Sequence, residues 1–502
     1  MIRTEFPRVT PESVGVPSGA VERLLDRLEE GWTEPHGLML MRRGKVFAEG
    51  WWAPYAPGIR HGLQSHTKTY AATAVGIAYT EGLLKLSDRV IDIFCDEAPA
   101  HPSENLRKLT VRDVLCMGCG MDTMPRPGVD WIREFLATPV NHVPGTAFMY
   151  NSTGSTLLGA IVRKLTGLGL HDYLKPRLFD KIGIDADNLR WLCMPDGMEV
   201  GGGGLYATTE DNLRLMKLYA DGGVWDGERI LAEDYVRLAT TSQNDSSTER
   251  AVNPPAEDNF VGYGFQLWMC RPKGVYRADG AMGQFTIVFP ERDMILAITE
   301  NASGGTGSAV PQRVLDTIWE WLDSLPEAAV ETLPEDPAAA AHLARRMAML
   351  ALPAPRRSPQ SPLQPQLEGA CYAVTGGYLT LAEYGMGVMM SGGARPAAVE
   401  TLAFSFADNR CLLAAALQDG RCQTLRIAMD GSRCENELGG LPSTALCSGC
   451  WEDERCFALT MRMIETCNER TLRFCFDGDR LTILQPGGLF GRAPEPVSAV
   501  RQ

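Results

Sequence analysis

The sequence predicts an α+β domain followed by an all-β, barrel-like domain, and three observations carry that prediction. Strand-like segments stand at both ends of residues 1–330 with helical patterns between them, as when one antiparallel sheet is built from the two chain ends and covered by helices. After Val314 to Pro326 the composition turns rich in Pro, Ala and Ser. From about Leu367 onward, short apolar runs alternate with Asp-Gly turns. At 502 residues, 45% of them hydrophobic, the chain is too long for one small core.

In chain order, the first elements are a strand pair over Gly37 to Trp52, turning at Arg43-Gly44. A helix follows over Thr69 to Thr80, which has no charge and holds Ala71, Ala72, Ala74, Gly76 and Ala78. Uncharged all round, it belongs in the interior, where small side chains let neighbours come close; Gly82 supplies its C-terminal cap. Helical patterns recur near Val111 to Cys116, over Ser155 to Leu165, and over Asp211 to Ala220. Strands return in GYGFQLWMC (262–270), GQFTIVFP (283–290) and MILAITEN (294–301), the last two joined by the tight turn PERD. Residues 331–366 read as a linker with one helical piece around Ala338 to Leu350, and residues 367–502 as an antiparallel sheet or barrel with turns at Asp419-Gly420, Asp430-Gly431 and Asp477-Gly478.

A net charge of −14 argues against a nucleic-acid partner, since phosphate binding needs a basic patch. The segment MIRTEFPRVTPESVG has no signal-peptide pattern and no run approaches eighteen apolar residues, so a cytoplasmic chain without membrane contact is expected. Thiols stay reduced there, and the cysteines, nine of the fourteen beyond Leu367, read as small buried hydrophobes. The pair Cys447 and Cys450 has no second pair at zinc-finger spacing, and the seven histidines show no ligand spacing, so neither metal nor organic cofactor is expected.

Chemistry concentrates at HGLQSHTK, which leads into the apolar helix. Ser65 and Lys68 stand three residues apart at its first turn and therefore share a face. Desolvation and the positive helix end both disfavour the ammonium, so Lys68 is placed to take a proton from the Ser65 hydroxyl. The plainer alternative is an N-capping serine beside a snorkelling lysine. Of nine lysines, only Lys68 has a serine three places before it.

Two further segments suit the same chemistry. In PGTAFMYNSTGS a loop brings Tyr150, Asn151 and Ser152 to a helix start, where a tyrosine hydroxyl can shuttle a proton or simply be half-buried. In YRADGAMGQF the small residues Gly280, Ala281 and Gly283 allow close backbone approach, and an N–H at this strand edge suits an oxyanion donor, the other being the N–H of Ser65. The run GGGGLYAT (201–208) is either a flexible wall of the site or a plain loop, without the spacing of a nucleotide-binding motif.

Taken in order, SHTK, LTVRDVLCMGCGMDT, PGTAFMYNS, GGGGLYATTEDNLRLMKLYADGG, GYGFQLW and ADGAMGQFTIVFPERDMILAITEN resemble the serine hydrolases of the β-lactamase and penicillin-binding-protein superfamily, nearest the class C β-lactamase, esterase and D-aminopeptidase branch. The resemblance covers roughly Glu12 to Trp321 and implies a β-lactamase/transpeptidase-like catalytic domain. It further implies that Ser65 is acylated, that Lys68 and Tyr150 share general base and acid work, and that the N–H groups of Ser65 and Ala281 hold the oxyanion. Ser152, Asn151, Asp279 and Gly280 would then contact a small ester or amide substrate. Two positions depart from the family pattern. Ser152 replaces the asparagine of Tyr-x-Asn, leaving Asn151 displaced by one, and Ala278 stands where Lys or His is usual. The missing cation and the adjacent Asp279 disfavour substrate carboxylates, although Arg277 lies near enough in sequence to compensate. An esterase or amidase is therefore expected. A genuine β-lactamase or D-stereospecific peptidase, and a silent binding protein on the same fold, are the alternatives.

Overall fold

The computed structural model describes residues 5–125, 128–249, 257–303, 309–381, 395–486 and 494–502. They form two compact units that divide between Ala351 and Leu352. Of residues 331–366, expected as a linker, those up to 351 pack with the first unit and those from 352 with the second.

The first unit contains α1 (Ser18–Leu28), β1 (Glu34–Arg42), β2 (Lys45–Trp51), α2 (Thr67–Thr80), α3 (Val111–Leu115), α4 (Ser152–Thr166), α5 (Thr209–Ala220), α6 (Glu233–Ala239), β3 (Trp268–Met269), β4 (Tyr276–Gly280), β5 (Gln284–Phe289), β6 (Met294–Asn301), α7 (Val310–Asp323) and α8 (Pro337–Ala348). Its six-stranded antiparallel sheet runs β2-β1-β6-β5-β4-β3, so the two ends of the unit do meet in one sheet. Leu38 lies opposite Ile298 and Leu40 opposite Leu296, joining apolar strands whose residues are nearly all buried. Helix α5 packs across β1, β5 and β6, and α8 packs on α1 and β2.

Helix α2 is the central helix, buried from Thr67 to Ala78. Its small residues are required by its neighbours: a Cβ on Gly76 would lie 2.5 Å from the Tyr235 ring of α6. The Tyr235 hydroxyl in turn donates to the Ala72 carbonyl at 2.6 Å. Gly82 takes the left-handed conformation just past the helix end, as a C-terminal glycine should.

GYGFQLWMC is not the continuous strand expected, since only Trp268–Met269 joins the sheet. Gln266 takes a left-handed φ of 57° and turns its amide inward, donating to Leu115 O at 2.7 Å and accepting from Ser155 Oγ at 2.7 Å. A polar side chain with all these partners inside costs the segment its pleat but ties α3 to α4.

The second unit comprises β7 (Cys371–Gly376), β8 (Val399–Ala407), β9 (Arg410–Leu417), β10 (Cys422–Ala428), β11 (Cys434–Glu437), β12 (Thr444–Trp451), β13 (Cys456–Met463), β14 (Glu469–Asp477), β15 (Arg480–Leu484) and β16 (Val497–Arg501). The order β10-β9-β8-β7-β16-β15-β14-β13-β12 closes into a nine-stranded barrel where Ala428 pairs with Ser448, and β11 is hydrogen-bonded to β12. Period-two alternation fills it: Cys411, Leu413, Ala415 and Leu417 of β9 face the core. Cys447 and Cys450 are three residues apart on one strand, so they point to opposite faces and are free thiols. Cys456 and Cys475, directly opposite on β13 and β14, form a disulfide, an exception to the reduced state expected of the cysteines.

Candidate active site

The Ser65 turn is clamped from both sides before α2 begins. Residues Gln64–His66 form a single 3-10 turn, and Gln64 takes a left-handed φ of 50°. Leu63 N donates to Leu205 O at 2.9 Å, and Leu205 N donates to Thr67 Oγ1 at 3.1 Å. His66 Nε2 meets Thr286 Oγ1 of β5 at 3.0 Å, fixing the turn to the sheet. Burial drives the His66 pKa down to about 4, so the ring is neutral. Ser65 is not an N-cap: the cap position falls to His66, whose side chain makes no capping bond.

Lys68 Nζ lies 2.9 Å from Ser65 Oγ and donates to the Gly202 carbonyl at 2.5 Å. The side chain is 2% exposed, and desolvation lowers its pKa from 10.5 to about 7, with the Asp279 carboxylate pulling the other way. A neutral amine that keeps one N–H on Gly202 still has a lone pair for the Ser65 hydroxyl proton.

The glycine run supplies that carbonyl. A Cβ on Gly202 would sit 2.3 Å from Ser152 O, and one on Gly201 would sit 2.8 Å from Ser155 O. Only glycine lets this segment lie against the start of α4, where Gly202 N donates to Thr156 Oγ1 at 3.1 Å. Gly202 thus has a defined contact that sequence reasoning missed, and the four consecutive glycines were its only signal.

Tyr150 presents its ring to Lys68, whose Nζ lies 4.8 Å from the ring centroid. The same ring stacks on Trp268 at 5.6 Å and 20°, and the Arg277 guanidinium lies 5.6 Å from the Trp268 ring. Asn151, expected to contact substrate, is taken up by the fold. It is fully buried and its Oδ1 caps α4 by accepting from Gly154 N at 2.8 Å, satisfying an N–H that a helix start leaves open. Ser152, also buried, is the first residue of α4.

Along β4, Arg277 and Asp279 share one face while Ala278 points into the apolar core. Arg277 Nε donates to Asp279 Oδ2 at 2.8 Å, and its other nitrogens donate to Asn259 Oδ1 and Asp258 O. Arg277 is fully buried and committed to these partners, so it does not replace the cation missing at Ala278. The Asp279 side chain is 20% exposed. Burial raises its pKa, with Arg277 and Lys68 opposing. Gly280 ends β4 where a Cβ would lie 2.1 Å from Leu63 O, so this strand end abuts the turn that carries Ser65. Ala281 is the next residue. Among the described residues no group of three or more His, Cys, Asp or Glu is placed to hold a metal, and no helix is long and apolar enough to cross a membrane.

A family model described as Beta-lactamase matches residues 22–317, more than half of the chain. The protein belongs to the beta-lactamase family. It is 26% identical over 308 residues to 6-aminohexanoate-dimer hydrolase of Paenarthrobacter ureafaciens, covering 54% of this chain and 74% of that one. It is 27% identical over 284 residues to penicillin-binding protein 4 of Amycolatopsis lactamdurans, covering 48% and 72% respectively. The structure of a penicillin-binding protein homologue from Caulobacter crescentus superposes with a TM-score of 0.50 at 19% identity, over 63% of this chain and all of that one, a likeness of fold. Within this beta-lactamase family of serine hydrolases, the matched span lies wholly in the first unit.

Proposed function

We propose that the protein hydrolyses esters or amides through an acyl-enzyme on Ser65. The observation that carries this reading is Lys68: a buried amine 2.9 Å from Ser65 Oγ with its pKa lowered to about 7. Lys68 Nζ takes the Ser65 proton as Oγ bonds to the substrate carbonyl carbon, and the carbonyl oxygen becomes an oxyanion beside the N–H groups of Ser65 and Ala281. When the intermediate collapses, the bond to the leaving group breaks and the proton passes to that group, with Tyr150 beside Lys68 to share the transfer. Water then attacks the acyl-enzyme by the same path and frees Ser65.

The β4 face supports small acyl substrates without a carboxylate, because it presents Asp279 rather than a cation and holds Arg277 internally. The relative named 6-aminohexanoate-dimer hydrolase supports a hydrolase of small compounds, and penicillin-binding protein 4, matched about as well, is the ground for testing the β-lactamase alternative. Incubation with a fluorophosphonate followed by mass spectrometry should find one adduct on Ser65, absent from Ser65→Ala. p-Nitrophenyl esters should turn over while a chromogenic cephalosporin and a D-alanyl amide are refused. An adduct that persists in Ser65→Ala sinks the mechanism, and rapid cephalosporin hydrolysis replaces the esterase assignment with β-lactamase.

A further inference from the structure

We propose that Gln284 is a positioning residue for the oxyanion site, holding the turn Ala281–Gly283 with its carbonyls inward and its N–H edge available to the space before Ser65. This rests on the acyl-enzyme reading above. An oxyanion donor works only while its peptide stays in place, since rotation of the turn would put a carbonyl oxygen where the N–H must be and repel the developing charge. The turn is conformationally costly. Met282 takes φ 64° and Gly283 φ 87°, and a side-chain-bearing residue holds a left-handed conformation only when its surroundings determine it.

Gln284 is the residue that determines it. Although 1% exposed, in the otherwise largely apolar strand QFTIVF, it spends its whole amide on backbone. Nε2 donates to Glu300 O at 2.7 Å, Met282 O at 3.0 Å and Ala281 O at 3.4 Å, and Oε1 accepts from Glu300 N at 3.3 Å. Ala302 N adds a bond to Met282 O at 2.9 Å. The carbonyls of Ala281 and Met282 are therefore both directed toward a buried side chain and away from solvent. The close approach of Gly280 to Leu63 O then sets this fixed turn against the one carrying Ser65. A hydrophobe of similar size would fill the space, so the amide is there for its hydrogen bonds.

The test compares a p-nitrophenyl ester with its thiono analogue, whose larger sulfur is a weak hydrogen-bond acceptor and gains less from the N–H donors. In Gln284→Met, kcat for the oxygen ester should fall about 100-fold, the lower end of the loss of one oxyanion donor, with KM changed under about threefold. The thionoester should fall far less, so the ratio of the two rates narrows by about tenfold or more. Gln284→Leu, which also lacks donor and acceptor at similar size, should narrow the ratio in the same way. Equal loss on both esters, no loss, or failure of both variants to fold would assign Gln284 to stability alone and overturn the proposal. Absence of a Ser65 adduct in the wild-type chain overturns the acyl-enzyme reading itself, whereas an adduct with an unchanged ester ratio overturns only the role of Gln284.

Discussion

Burial is what makes Lys68 a base. At its ordinary pKa of 10.5 the amine would keep its proton throughout the neutral range, whereas the enclosed side chain titrates at about 7. Activity measured as kcat/KM should therefore rise with pH through about 7 as the ammonium is lost, and Lys68→Ala should lower acylation by about three orders of magnitude or more while Ser65 remains in place. Asp279 favours the ammonium, so Asp279→Asn should move the rising limb to lower pH, all the more because Arg277 loses the first of the two carboxylates that act on it. Removing that partner from the buried guanidinium should also cost about 3 kcal/mol, read as a lower unfolding midpoint. A limb that stays put or moves upward would show that Asp279 does not act on the base. The Ser65–Lys68 relation was legible because a three-residue spacing on a helix is a statement about one face. The Gly202 carbonyl was not, because every residue carries a carbonyl and this one reaches Lys68 from 134 residues away.

Elements divide the same way, between local pattern and long-range demand. The uncharged helix, the β5–β6 hairpin and the alternating barrel strands could be read because period and turn chemistry are local. The segment 262–270 could not, because β-like composition says nothing of the inward hydrogen bonds that Gln266 makes to α3 and α4. Glycines show the difference in a form that can be measured. Gly202→Ala puts a Cβ 2.3 Å from the Ser152 carbonyl, backbone against backbone, so the loop must shift and take its own carbonyl from Lys68. The variant should lose about tenfold or more in kcat and about 2 kcal/mol in stability. Gly82→Ala meets nothing within 4 Å and bears only the cost of its left-handed φ of 74°, so it should lose about 1 kcal/mol with kcat unchanged. If both variants lost activity alike, the glycine run would not be acting through Lys68.

Across the whole molecule, the pattern changes near residue 330 while the two units divide between Ala351 and Leu352, because a Pro-rich stretch shows where periodicity stops and not which half packs with which core. Charge sets the behaviour of the first unit with pH through groups that composition also hides. His61 and His66 are buried with pKa values lowered to about 3 and 4, so the unfolded state binds more protons and stability rises as pH climbs from that range to the ordinary 6.5. Glu300 acts in the opposite sense. It is fully buried, takes a hydrogen bond from Thr33 Oγ1 at 2.7 Å, and has an Oε1 without a partner among the described residues. Desolvation raises its pKa from 4.5 to about 8, so the folded state binds more protons. Its contribution is fully present below pH 4.5 and is lost as pH rises through about 8, on the order of 5 kcal/mol at full ionisation. Glu300→Gln keeps an acceptor for Thr33 but cannot ionise. It should start less stable than wild type at pH 5, where an amide N–H is left buried, gain on it up to about pH 8 and level off above that. Denaturant midpoints of the first unit, followed by tryptophan fluorescence because nine of the ten tryptophans lie in that unit, measure the difference directly, and because both proteins share His61, His66 and Lys68, those contributions cancel. Parallel curves across pH 5 to 9 would mean that Glu300 is already ionised in the folded protein, and that its unpartnered oxygen is answered by water.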